Sequence, residues 1–405
     1  MRSTPAKIHL KSHTFTASKS WSGEKLYFKG DEYFTDVLKA INHAKQCVDF
    51  EVYIYEKGVL ADRITESLLR AGRRGVKVRL LVDGVGSPSA AADYGEKLIK
   101  GGVEFRVYRR LPSVLMAFTG IFGVFLRKNT FHRLRSVWFQ VNRRNHRKLV
   151  MVDGNKIWMG GFNVTDHHLE SLKGKEAWRD TGLGLSGVED QVFHLAFEAA
   201  WYERVDRSRW KCCRKELIAW LSRRSEANEV QVNTARRLRR KFHKELLYRL
   251  TTARKRIWVT TPYFVPTLPV FRALMHAALR GCDVRFVLPK KSDVPFVRWV
   301  SMSFFLPLLE AKSRIFEYRK SILHAKTLLV DDWVLIGSSN FNHRSFLFDL
   351  EVDVVLKRRK SLKSLERQYE IDFKKSGEVL LADVRLQPVW GRFLTWLVFG
   401  LRYWL

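Results

Sequence analysis

Two octapeptides carry most of the chemistry open to this chain: HRKLVMVD, His146 to Asp153, and HAKTLLVD, His324 to Asp331. In each, a histidine and a lysine stand two residues apart and an aspartate closes the run. Side chains alternate along an extended strand, so His146 and Lys148 share one face, as do His324 and Lys326. Lysine is no ligand in such a setting, and the spacing lacks the paired histidines or cysteines of a metal site, so no metal is expected here. One such motif by itself is most often a solvated strand edge. Two copies offer one imidazole to attack, another to protonate, and two cations to hold anionic oxygens. That is chemistry for a phosphodiester.

The duplication extends beyond the motifs. His324, Lys326 and Asp331 each lie 178 positions beyond their counterparts (324 − 146, 326 − 148 and 331 − 153). MGGFN, with Asn163, follows the first motif, and IGSSN, with Asn340, follows the second. Upstream, RRGVKVRLLVDGVGS answers LRGCDVRFVLPKKSD, and VEFRVYRR answers SRIFEYRK; each reads as a strand. FTDVLKAINHAK and KELLYRLTTARKR read as the helices that precede VDFEVYIYE and IWVTTPYFVP. The chain is therefore expected to hold two copies of one α/β unit, at 31–205 and 227–380, after an N-terminal segment 1–30 and joined by a basic linker 206–226. WSGEKLYFKGDEYF reads as the leading strand and turn of the first unit. His167 and His168 fall beyond the motif and read as surface residues.

Lysine and arginine outnumber aspartate and glutamate by 73 to 41 in 405 residues, a formal charge of +32, so a polyanionic partner is expected: nucleic acid or an anionic membrane face. Cys47, Cys212, Cys213 and Cys282 are too few and too irregular for a disulfide framework or a zinc site, which favours a reducing compartment. Residues 1–30 show no apolar run of signal-peptide length, so export is not expected. Tyr108 and His146 stand 38 residues apart whereas Tyr318 and His324 stand 6 apart, which places an insertion within 109–142. It contains the apolar Leu111–Leu126, shorter than the roughly 20 residues that span a bilayer. Basic residues flank it on both sides, as suits a segment dipping into a membrane interface. The tail, 381–405, mixes Trp390, Trp396, Tyr403 and Trp404 with Arg392 and Arg402 in the same manner.

The paired motifs, with GGFN and GSSNFNHRS behind them, resemble the two signature motifs of the phospholipase D superfamily. DGVGS, TPYFVP, PKKSD and LHAKT narrow the resemblance to bacterial cardiolipin synthases, of the B-type without N-terminal membrane spans, over about residues 24–380. That resemblance implies an α/β fold of two similar phospholipase D-like lobes, each a β-sheet flanked by helices, related by a pseudo-two-fold axis with the active site between them. It implies no cofactor and no metal, and a peripheral enzyme on the cytoplasmic face of the cell membrane with phosphatidylglycerol as substrate. His146 would attack phosphorus, His324 would protonate the departing glycerol, and Lys148 and Lys326 would cradle phosphate oxygens with help from Asn163 and Asn340. Asp180 and Glu351 stand where the family places the carboxylates that orient the histidines. Asp153 and Asp331 would stabilise motif geometry. Asp349 stands where relatives often have asparagine.

Two rival readings share these residues. A phospholipase D-type nuclease or other phosphodiesterase would use the charge against another backbone, although the apolar insertion and tail make nucleic acid the less favoured partner. A catalytically inactive basic scaffold would tolerate loss of His146. No obligatory protein partner is evident.

Overall fold

The computed structural model describes residues 21–110, 143–189, 191–203, 205–223 and 229–385. Leu111–Leu126 and most of the tail, both expected at a membrane interface, lie outside the described residues.

Two mixed sheets carry the repeat. The first consists of β1 (Gly23–Tyr27), β2 (Cys47–Val52), β3 (Lys77–Asp83), β4 (Glu104–Tyr108), β5 (Leu149–Val152), β6 (Lys156–Gly160) and β7 (Gly182–Ser186), in the order β1-β7-β6-β5-β2-β3-β4. The second consists of β8 (Val230–Val232), β9 (Arg256–Thr260), β10 (Asp283–Pro289), β11 (Arg314–Tyr318), β12 (Thr327–Val330), β13 (Trp333–Gly337), β14 (Val352–Val355) and β15 (Ser376–Glu378), in the order β15-β11-β10-β9-β12-β13-β14-β8. Without the edge strand β15, the second order repeats the first strand for strand. In both, three strands run parallel and the motif strand pairs antiparallel with the first of them, β5 on β2 and β12 on β9. The first sheet begins at Gly23, ahead of residue 31. The stretch read as a linker is largely the helix Arg207–Arg223, packed on the helix Val192–Trp201.

The strand faces follow from alternation. Val150 and Val152 of β5 point outward, to a core completed by the helices Gly30–Asn42 and Val59–Arg73; Leu149 and Met151 point inward. Apolar residues of Val59–Arg73 recur at Leu60, Ile64 and Leu68, giving one buried face, and Gly75, at φ 83, ends the run. The helix Leu268–Leu279 repeats the arrangement in the second lobe, with Gly281 at φ 91. The central core draws on the inner faces of both sheets and on the helices Val192–Trp201 and Arg359–Lys374. One apolar layer thus holds the lobes together. A buried ion pair crosses it: Arg179 of the first lobe meets Asp372 of the second through Nη2–Oδ2 at 2.8 Å and Nε–Oδ1 at 3.2 Å.

Removing one partner of a buried pair leaves an uncompensated charge. Arg179→Met is therefore expected to destabilise the protein by about 3 kcal/mol, read as a lower urea midpoint. A midpoint unchanged from the parent would show that the pair contributes nothing to lobe docking.

Candidate active site

The histidine and lysine of each motif lie immediately before the motif strand rather than within it: β5 begins after Lys148 and β12 after Lys326. The short extended segments carrying the histidines pair instead across the lobe boundary. The His146 amide donates to the Leu350 carbonyl at 3.0 Å and the Leu350 amide to the Arg144 carbonyl at 2.8 Å. In the other half, the His324 amide donates to the Arg179 carbonyl at 2.8 Å and the Arg179 amide to the Ile322 carbonyl at 2.9 Å. The residues after Leu350 and Arg179 are Glu351 and Asp180. Their carboxylates meet the histidines of the opposite lobe, His146 Nδ1–Glu351 Oε1 at 3.0 Å and His324 Nδ1–Asp180 Oδ2 at 2.6 Å. With Nδ1 engaged in this way, Nε2 is the nitrogen left for chemistry on each ring.

Lys148 and Lys326 stand with the histidines, although both pairs precede the strand on which alternation was expected to align them. Lys148 Nζ donates to the His146 carbonyl at 2.7 Å and lies 5.2 Å from the centre of the Tyr53 ring, which also packs edge-on to His146. Lys326 Nζ lies 3.2 Å from His324 Nε2 and donates to the His324 carbonyl. All four side chains are buried, and burial sets their electrostatics. It lowers Lys148 to about 7, with Lys326 contributing as a second cation, and lowers Lys326 and His324 below their ordinary values. His146 falls well below its ordinary value, again from burial and then from Lys148. Burial alone would raise Asp180, but His324 and Lys326 hold it down at about 2. Glu351 behaves oppositely: burial raises it to about 7 against the pull of Lys148 and of hydroxyl donors from Ser338 and Ser345.

Asn163 and Asn340 lie buried behind the motifs, and each keeps one amide atom without a hydrogen-bond partner among the described residues, Nδ2 of Asn163 and Oδ1 of Asn340. A 180° amide rotation exchanges oxygen and nitrogen, so either can present a donor. Glycine is required beside Asp180, because a Cβ on Gly161 would collide with its carboxylate. Asp349 accepts from the Arg144 amide at 2.9 Å and from Arg344 Nε at 2.9 Å, which explains how an acid is tolerated where asparagine was expected.

Asp153 and Asp331 are set apart from this group. Each adopts positive φ, 51° and 52°, at the turn that follows the motif strand. The Asp153 carboxylate accepts from the amides of Lys45, Gln46 and Cys47, and that of Asp331 from Arg254, Lys255 and Arg256. Aspartate suits both tasks: it tolerates the left-handed region and caps the loop leading into the neighbouring strand.

His168 corrects the surface reading made from its position. It is fully buried, at the site: its Nδ1 stands 4.0 Å from Asp180 Oδ2 and lacks a hydrogen-bond partner among the described residues, while Nε2 accepts from the Asn163 amide. Burial drives it to about 3, so it is neutral. His167, by contrast, is exposed and stacks on Trp178. His168, Asp180 and His324 offer three ligand atoms within 4.8 Å of one another. Two of those atoms are already bonded to each other, and the Lys326 ammonium adjoins them, so the set fits a hydrogen-bonded chain better than a cation.

A profile described as "Cardiolipin synthase, PLD-like domain" matches residues 37–173 and 246–373, one segment per lobe. This chain belongs to that family. Cardiolipin synthase 1 of Bacillus cereus is 31% identical over 377 residues, 91% of this chain and 70% of that protein. A cardiolipin synthase of Clostridium perfringens is 28% identical, over 91% of this chain and 74% of its own length. The fold resembles that of phosphatidylserine synthase from Haemophilus influenzae, with a TM-score of 0.66 at 13% identity over 94% of this chain and 95% of that one. The two-lobed architecture is thus that of the family, with mixed sheets carrying one motif each.

Asp331→Ala separates the two kinds of motif residue. It orphans three amides and forces alanine into positive φ, so stability should fall by about 3 kcal/mol, while activity per folded molecule stays within about threefold of the parent. Loss of turnover in fully folded protein would place Asp331 in the chemistry after all.

Proposed function

We propose that the protein is a cardiolipin synthase that transfers a phosphatidyl group from one phosphatidylglycerol to another, releasing glycerol. The observation that carries this reading is the buried meeting of two imidazoles and two ammonium groups, each imidazole backed by a carboxylate from the opposite lobe. In the first step, His146 Nε2 attacks phosphorus, the bond from phosphorus to the glycerol oxygen breaks, and His324 gives its proton to that oxygen. The phosphatidyl group is then held on His146. In the second step, the free primary hydroxyl of another phosphatidylglycerol attacks phosphorus, His324 takes its proton, and the bond to His146 breaks. Two substrate molecules become one cardiolipin and one glycerol, and His324 returns to its starting state.

Lys148 and Lys326 would neutralise the non-bridging oxygens as charge concentrates on them, with Asn163 and Asn340 adding donors. Two cations in one buried site strain each other, and an anionic phosphate relieves that strain. In phosphoryl transfer of this kind the protein itself would provide the positive charge, through Lys148, Lys326 and the protonated His324. Action on a lipid places the enzyme at a membrane; among the described residues no helix is long and apolar enough to cross one. Peripheral association with the cytoplasmic leaflet, favoured by the excess of 73 basic over 41 acidic residues, completes the reading.

The test is turnover of phosphatidylglycerol by the purified protein, followed by mass spectrometry of lipid and glycerol, with DNA as an alternative substrate. Cardiolipin and glycerol should form together, and His146→Ala or His324→Ala should each reduce the rate by at least about a thousandfold. Cleaved DNA with unchanged lipid would move the activity to a nuclease; turnover of neither would favour the scaffold.

The pH profile gives a second check. Lys148 is charged below about 7 and neutral above it in the free enzyme, so kcat/KM should fall as pH rises through that value. Bound phosphate stabilises the ammonium, so the corresponding limb of kcat should lie at higher pH. Coincident limbs would show that Lys148 does not meet the substrate.

A further inference from the structure

The helix Arg207–Arg223 and the helix Arg236–Thr252 enclose an open groove of about 440 Å³ outside the catalytic centre. Both helices are anchored by their apolar sides, Cys213, Leu217 and Leu221 on one and Leu238, Phe242 and Leu246 on the other. Lys241 Nζ reaches the Leu221 carbonyl at 3.4 Å and fixes their spacing. The groove itself is lined by Lys211, Arg214, Lys215 and Arg237 over a floor of Ile218 and Ala219. Among the described residues no acidic side chain lines it.

Its cations are uncompensated. Among the described residues, Lys211, Lys215 and Arg237 make no ion pair, and Arg214 Nε is buried without a hydrogen-bond partner. Among the described acids, Asp206 pairs with Arg209 at 3.5 Å and Glu216 accepts from the Cys212 thiol at 3.4 Å. Behind the groove stands Arg239, lowered to about 10 by burial and by the neighbouring cations Arg143 and Arg214. Positive charge is therefore crowded here well beyond what the fold offsets.

Position and lining narrow the anion that would relieve it. Arg143 is three residues from His146, and Arg239 donates to the carbonyls of Leu347 and Phe348, just before Glu351. Arg239, which feels both Arg214 of the groove and Arg143, thus links the groove to the backbone segment that leads into Glu351. Partly buried Trp210 flanks the cations, with Arg214 lying 5.6 Å from the centre of its ring. An amphipathic indole beside basic side chains and apolar lining suits the boundary between headgroup and acyl chain. A nucleic-acid strand would ask instead for a long basic track with exposed stacking rings.

We infer that this groove seats the phosphate of an anionic bilayer phospholipid and so docks the protein on the membrane. The inference rests on the lipid reading of the active site but assigns a separate site, one that binds without reacting. A lipid held there orients the cleft toward the leaflet that supplies both substrates.

The experiment compares two variants of the full chain with equal changes in net charge. Lys211→Glu, Lys215→Glu and Arg237→Glu together reverse the groove; Lys360→Glu, Lys363→Glu and Arg367→Glu reverse three exposed cations on the helix Arg359–Lys374. Flotation with phosphatidylcholine vesicles, with and without phosphatidylglycerol, measures docking, and turnover of phosphatidylglycerol in detergent micelles measures the chemistry. The groove variant should lose affinity for anionic vesicles by about a hundredfold while the control variant changes by less than about threefold, and both should keep parental turnover in micelles. Equal weakening of the two variants, unchanged binding by the groove variant, or failure of the parent protein to prefer anionic vesicles would overturn the inference. Absence of micellar turnover in the parent protein would instead refute the lipid-transfer reading.

Discussion

The Nδ1 hydrogen bond of each motif histidine ends on a carboxylate of the opposite lobe, His146 on Glu351 and His324 on Asp180, so the candidate site belongs to the interface and to neither repeat alone. The same crossing occurs in the backbone one residue earlier, at Leu350 and Arg179. A shift of one lobe against the other would therefore move both imidazoles and their acceptors together. The shared apolar core and the Arg179–Asp372 pair guard against that shift. Arg179 serves three roles through one residue: its backbone holds His324, its guanidinium holds the second lobe, and it adjoins Asp180 in sequence.

Docking the lobes this closely has an electrostatic cost. Lys148 and Lys326 are both withdrawn from water; burial lowers the proton affinity of each, and Lys326 lowers that of Lys148 further. A fold selected only for stability would place apolar side chains there. Buried cations in one site, with one amide atom each of Asn163 and Asn340 unpaired among the described residues, suit the proposed binding of an anion with several oxygens. The same logic, in a wetter form, holds at the groove between the helices Arg207–Arg223 and Arg236–Thr252.

What could be read from the sequence was whatever the duplication repeats. The constant offset between motifs located matching strands, and the strand orders agree, because a strand's register and burial pattern are written locally. The approach of Asp180 to His324 was placed only by resemblance, since nothing in local periodicity says that an acid in one lobe reaches a histidine in the other. His168 was misread for the same reason. Following another histidine in a polar stretch, it resembles a loop residue, yet the short helical turn Asp166–His168 directs it inward against Phe162, Trp178 and His324. Its counterpart gives a signal that was available: the Asn163 amide donates to His168, whereas the Asn340 amide meets Ser345 Oγ at 3.1 Å. Five positions separate donor and partner in both lobes, so the repeat itself marks His168 as part of the site.

That substitution of serine for histidine makes the two halves chemically unequal. Burial raises the proton affinity of Glu351 to about 7, because Lys148 and the neutral donors Ser338 and Ser345 compensate it only in part. Asp180 receives the Thr181 amide at 2.7 Å and lies against His324 and Lys326, and it remains a carboxylate down to about 2. A permanent anion on Nδ1 favours an imidazolium, while an acceptor that itself takes up a proton near neutrality does so less. In the proposed reaction this inequality assigns the roles: His324, backed by Asp180, carries the proton to and from the glycerol oxygen, and His146, more strongly held neutral by burial and Lys148, keeps the lone pair that attacks phosphorus.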